Sequence, residues 1–369
     1  MGFRAKKERK EKKNFFDYTL LFLVLFMIAF GLVMLYSTSY HYAEAHFHNA
    51  TFYLRKQGIA TAIGLVLMFI TTMIPYGFWK KMAIPAYVVS CILCGAALFT
   101  EAINGSSRWL SIGPFSLQPA EVAKIAVIIF ISSYISTSPK SMGKLKNILK
   151  TAAYMIPIAG IVALGNLSSA IIIFLIGMTI IFISSPKYIH FAVPAAIVAG
   201  LGGAFILVQG YRMERIKLWL HPELMEAGSQ TIQGLYAIGA GGWFGKGLGE
   251  SIQKMGSLPE AQNDMIFSII CEELGILGAL GVIMLFGLML WRFMVIATNA
   301  KDLFGSLMVI GIMAHIALQV ILNIAVVTNS IPNTGVTLPF ISYGGTAICF
   351  LLAEMGLALS VSRGITLEE

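Results

Sequence analysis

The amino-acid sequence predicts an all-α, polytopic membrane protein with about ten transmembrane helices, both termini cytoplasmic, and one large extracytoplasmic loop between spans seven and eight. Three observations carry this. Of 369 residues, 57% are apolar and only 12% charged, with mean hydropathy +0.80, whereas a water-soluble domain carries about twice that charge. The apolar residues gather into stretches of the length a helix needs, about 20 residues, to cross roughly 30 Å of hydrocarbon. The basic residues between those stretches are unevenly shared between the two sides.

The first element is a basic tail, residues 1–16, which holds seven of the 26 Lys and Arg between Arg4 and Lys13. Directly ahead of an apolar stretch, such a tail is the positive-inside signal and is drawn to anionic lipid. It has neither the aromatic interleaving nor the fold motif of a nucleic-acid binder. The stretch from Tyr18 to Leu35 is too long for the h-region of a signal peptide and lacks a small-residue cleavage site, so it reads as a first span and signal anchor. Residues 17–369 then make one integral domain, with spans near 17–36, 57–75, 82–100, 119–137, 150–165, 168–184, 189–208, 264–291, 304–327 and 342–362. Cys91, Cys94, Cys271 and Cys349 all fall in apolar stretches, which argues against a disulfide framework or a zinc site, and against a redox role for the C-x-x-C pair.

With the N-terminus inside, 17 Lys and Arg fall on the cytoplasmic side and 8 outside, with Lys124 inside a span, so the C-terminus is inside as well. The fifth and sixth spans are separated only by Gly165, Asn166 and Leu167. Fused into one helix they would invert everything downstream and give a count of 18 to 7, so charge does not decide. Their joint length of about 35 residues and the Gly-Asn break argue for a hairpin. The outer loop, residues 209–263, is too long for a simple connection, and its apolar, glycine-rich part from Gly234 to Gly249 predicts short amphipathic or re-entrant helices.

Charges inside a bilayer cost about 2.5 to 3.5 kcal/mol each at a helix centre, so each asks for a partner or a role. Pro119 opens the fourth span at a position where its missing N–H costs nothing. Glu121 and Lys124 then share one helix face; either they form a local ion pair, or Lys124 reaches another helix or an anionic ligand. Asp264 opens the eighth span at similar depth, either as a helix cap or as a cross-helix partner. Glu272 and Glu273 lie about 12 Å deeper and on different faces, so one of them is expected to pair with a neighbouring helix. Arg108 and Trp109, in the loop before the fourth span, are either interfacial anchors or part of a cradle for an anionic lipid headgroup.

These residues stand in Asn104-Gly105-Ser106-Ser107-Arg108-Trp109, Gln118-Pro119-Ala120-Glu121-Val122-Ala123-Lys124, Gly247-Leu248-Gly249-Glu250-Ser251, Leu258-Pro259-Glu260-Ala261-Gln262-Asn263-Asp264-Met265-Ile266-Phe267 with Glu272-Glu273-Leu274-Gly275, and Thr334-Gly335-Val336-Thr337-Leu338-Pro339-Phe340-Ile341-Ser342-Tyr343-Gly344-Gly345. In this order they resemble the SEDS family (shape, elongation, division and sporulation), the FtsW/RodA group of peptidoglycan glycosyltransferases. The resemblance runs over nearly the whole chain after the tail. It implies ten spans, an active face outside the membrane, and polymerisation of lipid II with release of undecaprenyl diphosphate. By matching position it makes Asp264 the catalytic residue, with Lys124, Glu121, Arg108 and Glu260 in support. Two departures stand out. Gln262-Asn263 replaces the usual His-Thr before the aspartate, so no imidazole stands there. Gly165-Asn166-Leu167-Ser168-Ser169 replaces Pro-Asp-Leu-Gly-Thr, so no acidic residue carries over.

The implied reaction needs a base at the acceptor hydroxyl and cations at the diphosphate. Asp264 would be the base. Arg108 and Lys124 would serve the diphosphate, or Lys124 would keep Asp264 ionised. A divalent cation could replace those cations, although the sequence shows no ligand cluster for a metal. The implied setting is the bacterial cytoplasmic membrane, with a class B penicillin-binding transpeptidase and other division proteins as partners. Pro259-Glu260-Ala261 leans to the division-type member. The rival from another class is a lipid-linked precursor flippase, whose sites usually lie at the midplane.

Overall fold

The computed structural model describes residues 13–100, 109–112, 115–187, 191, 217–224, 228–255 and 258–367. The helices are α1 (Tyr18–Phe47), α2 (Phe52–Met73), α3 (Tyr76–Lys81), α4 (Ala83–Ala97), α5 (Pro119–Thr137), α6 (Leu145–Ala153), α7 (Ile156–Gly165), α8 (Leu167–Ser184), α9 (Ser229–Ala240), α10 (Ile266–Thr298), α11 (Leu303–Val327) and α12 (Thr346–Arg363). Among the described residues seven are long and apolar enough to cross a membrane. The pair α6–α7, bent by 42°, makes an eighth, and α4 is a shorter apolar helix. The expected spans thus have helices at nine of ten places; the seventh, 189–208, lies outside the described residues.

The expected hairpin is present. Met155 and Gly177, equally far in sequence from Asn166, lie against one another across α7 and α8. Asn166 is the single extended residue between the two helices, and its side chain accepts a hydrogen bond from the Ser169 N–H at 3.1 Å. A neutral cap therefore serves at the turn where no acidic residue carries over, satisfying one of the free N–H groups of the first turn of α8.

Two faces follow. On one, short strands β1 (Lys13–Asn14) and β4 (Thr366–Leu367) pair antiparallel, so residues 13–14 and 366–367 lie together on one face. There Asp17 caps α1 through Leu20 N–H (2.8 Å) and holds Arg292 at the end of α10 (2.6 Å). Ser185 Oγ also donates to Met142 O here (3.3 Å). On the other face are the α1–α2 turn, the hairpin of β2 (Leu110–Ile112) and β3 (Phe115–Leu117), the α7–α8 turn, residues 228–255, 258–265 and 328–345. Phe191 packs edge-on against Phe182 of α8 (5.0 Å), and Trp219 lies on the second face, where its Nε1–H donates to Asn329 O at 2.9 Å.

The core runs through α5, α11 and α12, whose spans are the most enclosed by neighbouring helices. Between lipid-like helices there is no hydrophobic gain to drive association, so close approach and polar contacts do that work. Gly356 of α12 lies so near α2 that a Cβ would fall 1.9 Å from Thr71 Oγ1. The hydroxyl of Thr71 in turn donates across to Ala353 O (3.1 Å). This fixes the depth and rotation of α12, and with them the place of Glu354.

One helix is not continuous. At Gly275, α10 takes φ 69°, ψ −170°, a conformation that favours glycine. The carbonyls of Glu272 and Glu273, which would normally receive Ile276 and Leu277, instead accept Lys246 N–H (2.9 Å) and Gly247 N–H (3.0 Å). The freed N–H groups of Ile276 and Leu277 donate to Gly242 O (2.9 Å) and Trp243 O (3.2 Å). The turn after α9 thus enters the gap and restores these bonds, as backbone inside a membrane must. Short amphipathic or re-entrant helices are expected between Gly234 and Gly249; the structure has one helix there, α9, followed by this inserted turn.

Candidate functional site

Asp264 is the last residue but one of the turn 259–265, on the face away from the β1–β4 pair. Its position is set by the backbone first. Its carbonyl accepts Asn323 Nδ2–H of α11 (2.8 Å), and the same amide also donates to Val336 O (2.8 Å). The neighbouring Gln262 O accepts Tyr343 N–H (2.9 Å). One amide thus ties the aspartate's turn and the 333–345 segment to a single helix. The 333–345 segment is held to α2 as well, through Gly344 and Gly345 N–H on Gln57 Oε1 (3.3 and 3.2 Å).

The side chain is 7% exposed. The sequence predicts that Asp264 opens the span, as a cap or a cross-helix partner. Instead α10 begins at Ile266 and its cap residue is Met265, without a side-chain bond, so capping does not explain the carboxylate. Its Oδ1 accepts Gln230 Nε2–H of α9 at 3.4 Å. Gln230 in turn receives Asn333 Nδ2–H on Oε1 (3.0 Å) and donates to Pro259 O (3.3 Å). Burial pushes the Asp264 carboxyl up to about 6; its own backbone N–H opposes this, the Glu260 carboxylate adds to it, and the Asn333 side chain opposes it. Desolvation disfavours the charged form, and neutral amides offset it only in part.

Glu260 sits four residues earlier at φ 53°, a left-handed conformation uncommon for residues other than glycine. The Asn263 amide donates to its carboxylate, and the Asn263 backbone N–H to Glu260 O (2.9 Å). Glu260 is exposed at the rim of the turn rather than inside it.

Of the two arrangements expected for Lys124, the structure forms the local one. Its Nζ pairs with Glu121 at 2.8 Å, both side chains buried, so the local ion pair is formed. The charged group that acts on Asp264 is Glu260, while Lys124 is engaged by Glu121. The physical reason is geometric: the lysine starts one turn inside α5 and its ammonium turns to its own helix and to the bundle interior. There His315 and Glu354 lie within range of its charge. Arg108 lies outside the described residues.

Glu272 and Glu273 are both structural. Glu273 bonds Ser37 of α1 (2.8 Å) and Lys254 (2.6 Å); Glu272 bonds Lys246 (2.7 Å), the Ser251 hydroxyl and Ile252 N–H (3.2 Å). Sequence reasoning missed Gln230, Asn333 and Asn323, which hold Asp264, and the buried pair His315–Glu354. The last two were findable, since each is an ionisable group in an apolar span. Among the described residues no cluster of three or more His, Cys, Asp or Glu could hold a metal ion.

Against this geometry, the family whose profile matches is the one described as FtsW/RodA/SpoVE, cell cycle protein, over residues 18–366. The chain belongs to the FtsW/RodA/SpoVE family. It is 37% identical over 368 residues to stage V sporulation protein E of Bacillus subtilis, covering 95% of this chain and 98% of that one. To the probable peptidoglycan glycosyltransferase FtsW of Trichlorobacter lovleyi it is 35% identical, covering 95% and 94%. Among solved structures, it matches a chain from a study of how a peptidoglycan synthase complex coordinates polymerization and crosslinking, with TM-score 0.81, 27% identity and 94% and 98% coverage. The rod shape determining protein RodA of Thermus thermophilus gives TM-score 0.69 at 25% identity, covering 94% and 97%. Like its FtsW/RodA/SpoVE relatives, this chain is a multi-pass membrane protein.

Proposed function

We propose that this protein is a peptidoglycan glycosyltransferase of the division type, polymerising lipid II on the outer face of the bacterial cytoplasmic membrane. The observation that carries the reading is Asp264: a nearly buried carboxylate, contacted by an amide and, among the described residues, by no cation, on one face of a bundle whose whole length matches the family. The side assignment draws on the 17-to-8 distribution of basic residues together with the pairing of β1 with β4.

In the proposed reaction the 4-hydroxyl of an acceptor sugar attacks the anomeric carbon of the lipid-linked donor. A glycosidic C–O bond forms, the bond to the diphosphate breaks, and undecaprenyl diphosphate leaves with that electron pair. Asp264 takes the hydroxyl proton. A base whose protonation lies nearer neutrality than an ordinary aspartate's suits this step, because it is ionised at working pH yet still holds a proton well. Glu260 at the rim and Lys124 with Glu121 one turn inside the membrane support the site, and Arg108 serves the diphosphate. Were a divalent cation bound beside Asp264, it would supply the charge neutralisation assigned to Arg108. A single-span class B penicillin-binding transpeptidase is the partner this reading calls for.

The flippase reading draws on one observation, the His315–Glu354 pair at mid-depth in the bundle. One experiment separates the two. Purified protein is supplied with lipid II, with and without the transpeptidase and with and without a divalent cation. Glycan polymer is expected from the native chain and none from Asp264→Ala, which should remain folded in detergent. Polymer from Asp264→Ala would refute the assignment.

A further inference from the structure

Four ionisable side chains meet inside the bundle: Glu121 and Lys124 of α5, His315 of α11 and Glu354 of α12. His315 is the middle residue of α11 (Leu303–Val327), and Glu354 is at the middle of α12 (Thr346–Arg363). At the helical rise, His315 is about 18 Å from either end of its helix. His315 Nδ1 and Glu354 Oε2 are 2.8 Å apart, and each side chain is 1% exposed. The remaining polar atoms, His315 Nε2 and Glu354 Oε1, have no hydrogen-bond partner among the described residues. Lys124, already held by Glu121 at 2.8 Å, is the cation whose charge reaches both.

Four charge states of the pair are conceivable, and the one with a carboxylic acid beside an imidazolium adds a second buried cation near Lys124 and is set aside; three remain. A bare Glu354 carboxylate beside neutral His315 would put a net negative charge in the hydrocarbon. It would also compete with Glu121 for the lysine. An imidazolium–carboxylate pair would leave a charged N–H and a charged oxygen each without a partner. Both cost more than leaving neutral groups unpartnered at the same atoms. The third state has a carboxylic acid donating to Nδ1 of a neutral imidazole, and it is the one this geometry favours.

We propose that Glu354 is held protonated against neutral His315, forming an uncharged floor beneath Lys124 that leaves the ammonium with Glu121 and keeps it from being drawn deeper into the bundle. His315 and Glu354 are then positioning residues for Lys124, and this role rests on the glycosyltransferase reading. Loss of His315 frees Glu354 to ionise and draw the lysine inward. Replacing Glu354 by glutamine keeps an uncharged hydrogen-bonding group of the same shape.

The test uses the purified full chain with lipid II, and compares the native protein with Asp264→Ala, Glu354→Gln, His315→Ala and the double variant His315→Ala/Glu354→Gln. His315→Ala is expected to lower kcat by about tenfold, since a misplacement near 1 Å can cost that much or more. Glu354→Gln alone, and the double variant, are expected within about threefold of native. The double variant still carries the gap left at residue 315, so packing does not account for its recovery. The infrared difference between native protein and Glu354→Gln should contain the carbonyl stretch of a protonated carboxylic acid. A difference showing only carboxylate bands overturns the proposal. So does a Glu354→Gln chain that loses activity or fold, or a double variant no better than His315→Ala. Should His315→Ala fail to fold, Glu354→Gln and the infrared band still decide. A silent native chain, or an active Asp264→Ala, defeats the glycosyltransferase reading instead, and the infrared band then judges the floor by itself.

Discussion

Three acidic residues between positions 264 and 273, Asp264, Glu272 and Glu273, meet opposite fates. Glu272 and Glu273, at the break in α10, are each matched by a lysine from the segment between α9 and α10, Lys246 and Lys254. Asp264, in the turn ahead of the same helix, is contacted by an amide. The two glutamates are thereby committed to holding the loop, their charges cancelled at contact distance. The aspartate keeps a charge that its surroundings resist, and that distinguishes a group available for chemistry from one given over to structure.

The largest expected effect concerns the structural side. Glu273→Ala leaves Lys254 buried without its partner, and removing one member of a buried pair costs about 3 to 5 kcal/mol. The unfolding midpoint in detergent should fall sharply, while polymer formed per folded molecule stays close to native. A variant that keeps its midpoint but loses activity would break the contrast. Next comes Asn323→Ala, which strips a donor from the carbonyls of Asp264 and Val336. Buried acceptors left without a partner cost about 1 to 3 kcal/mol, and a shifted aspartate should lower kcat about tenfold; thermal denaturation and turnover, measured together, check both. The smallest is a matter of pH. With its carboxyl raised to about 6, Asp264 is protonated below that pH and cannot accept a proton, so kcat/KM should rise through pH 6 and level off above it. The sign for stability is the reverse. A carboxyl that ionises less readily folded than unfolded loses stabilisation as pH rises toward 6, so Asp264→Asn should raise the unfolding midpoint at pH 7. An acid limb near 4, about the ordinary aspartate value, would mean that a cation serves Asp264 after all.

Much of this was legible in the sequence because it depends on local spacing. Apolar stretches marked the helices, Pro119 marked the start of α5, and Glu121 with Lys124 three residues on made the local pair, one of the two arrangements the spacing allowed. Asn166 marked the turn of the hairpin. What stayed hidden depends on segments far apart in the chain. Gln230, Asn323 and Asn333 are ordinary amides until α9, α11 and the 333–345 segment converge on Asp264. The break at Gly275 reads as one glycine in an apolar run, because the backbone that fills it comes from residues 242–247. His315, Gln319 and Asn323 did leave a trace: polar residues four apart on one face of an otherwise apolar helix, all three buried. The same rule that singled out Glu121 would have singled out His315 and Glu354.

The interrupted helix also constrains how the chain is made. Residues 241–255 leave the ribosome before Glu272 and Glu273, so the lysines wait at the surface for partners not yet synthesised. The segment from Ile266 onward then enters the bilayer carrying two carboxylates and a gap in its ladder of amide bonds. Insertion and loop docking are therefore one event rather than two. A chain arrested after Met255 would have nothing to receive its loop, and one lacking that loop would carry a helix poorly fitted to remain in lipid.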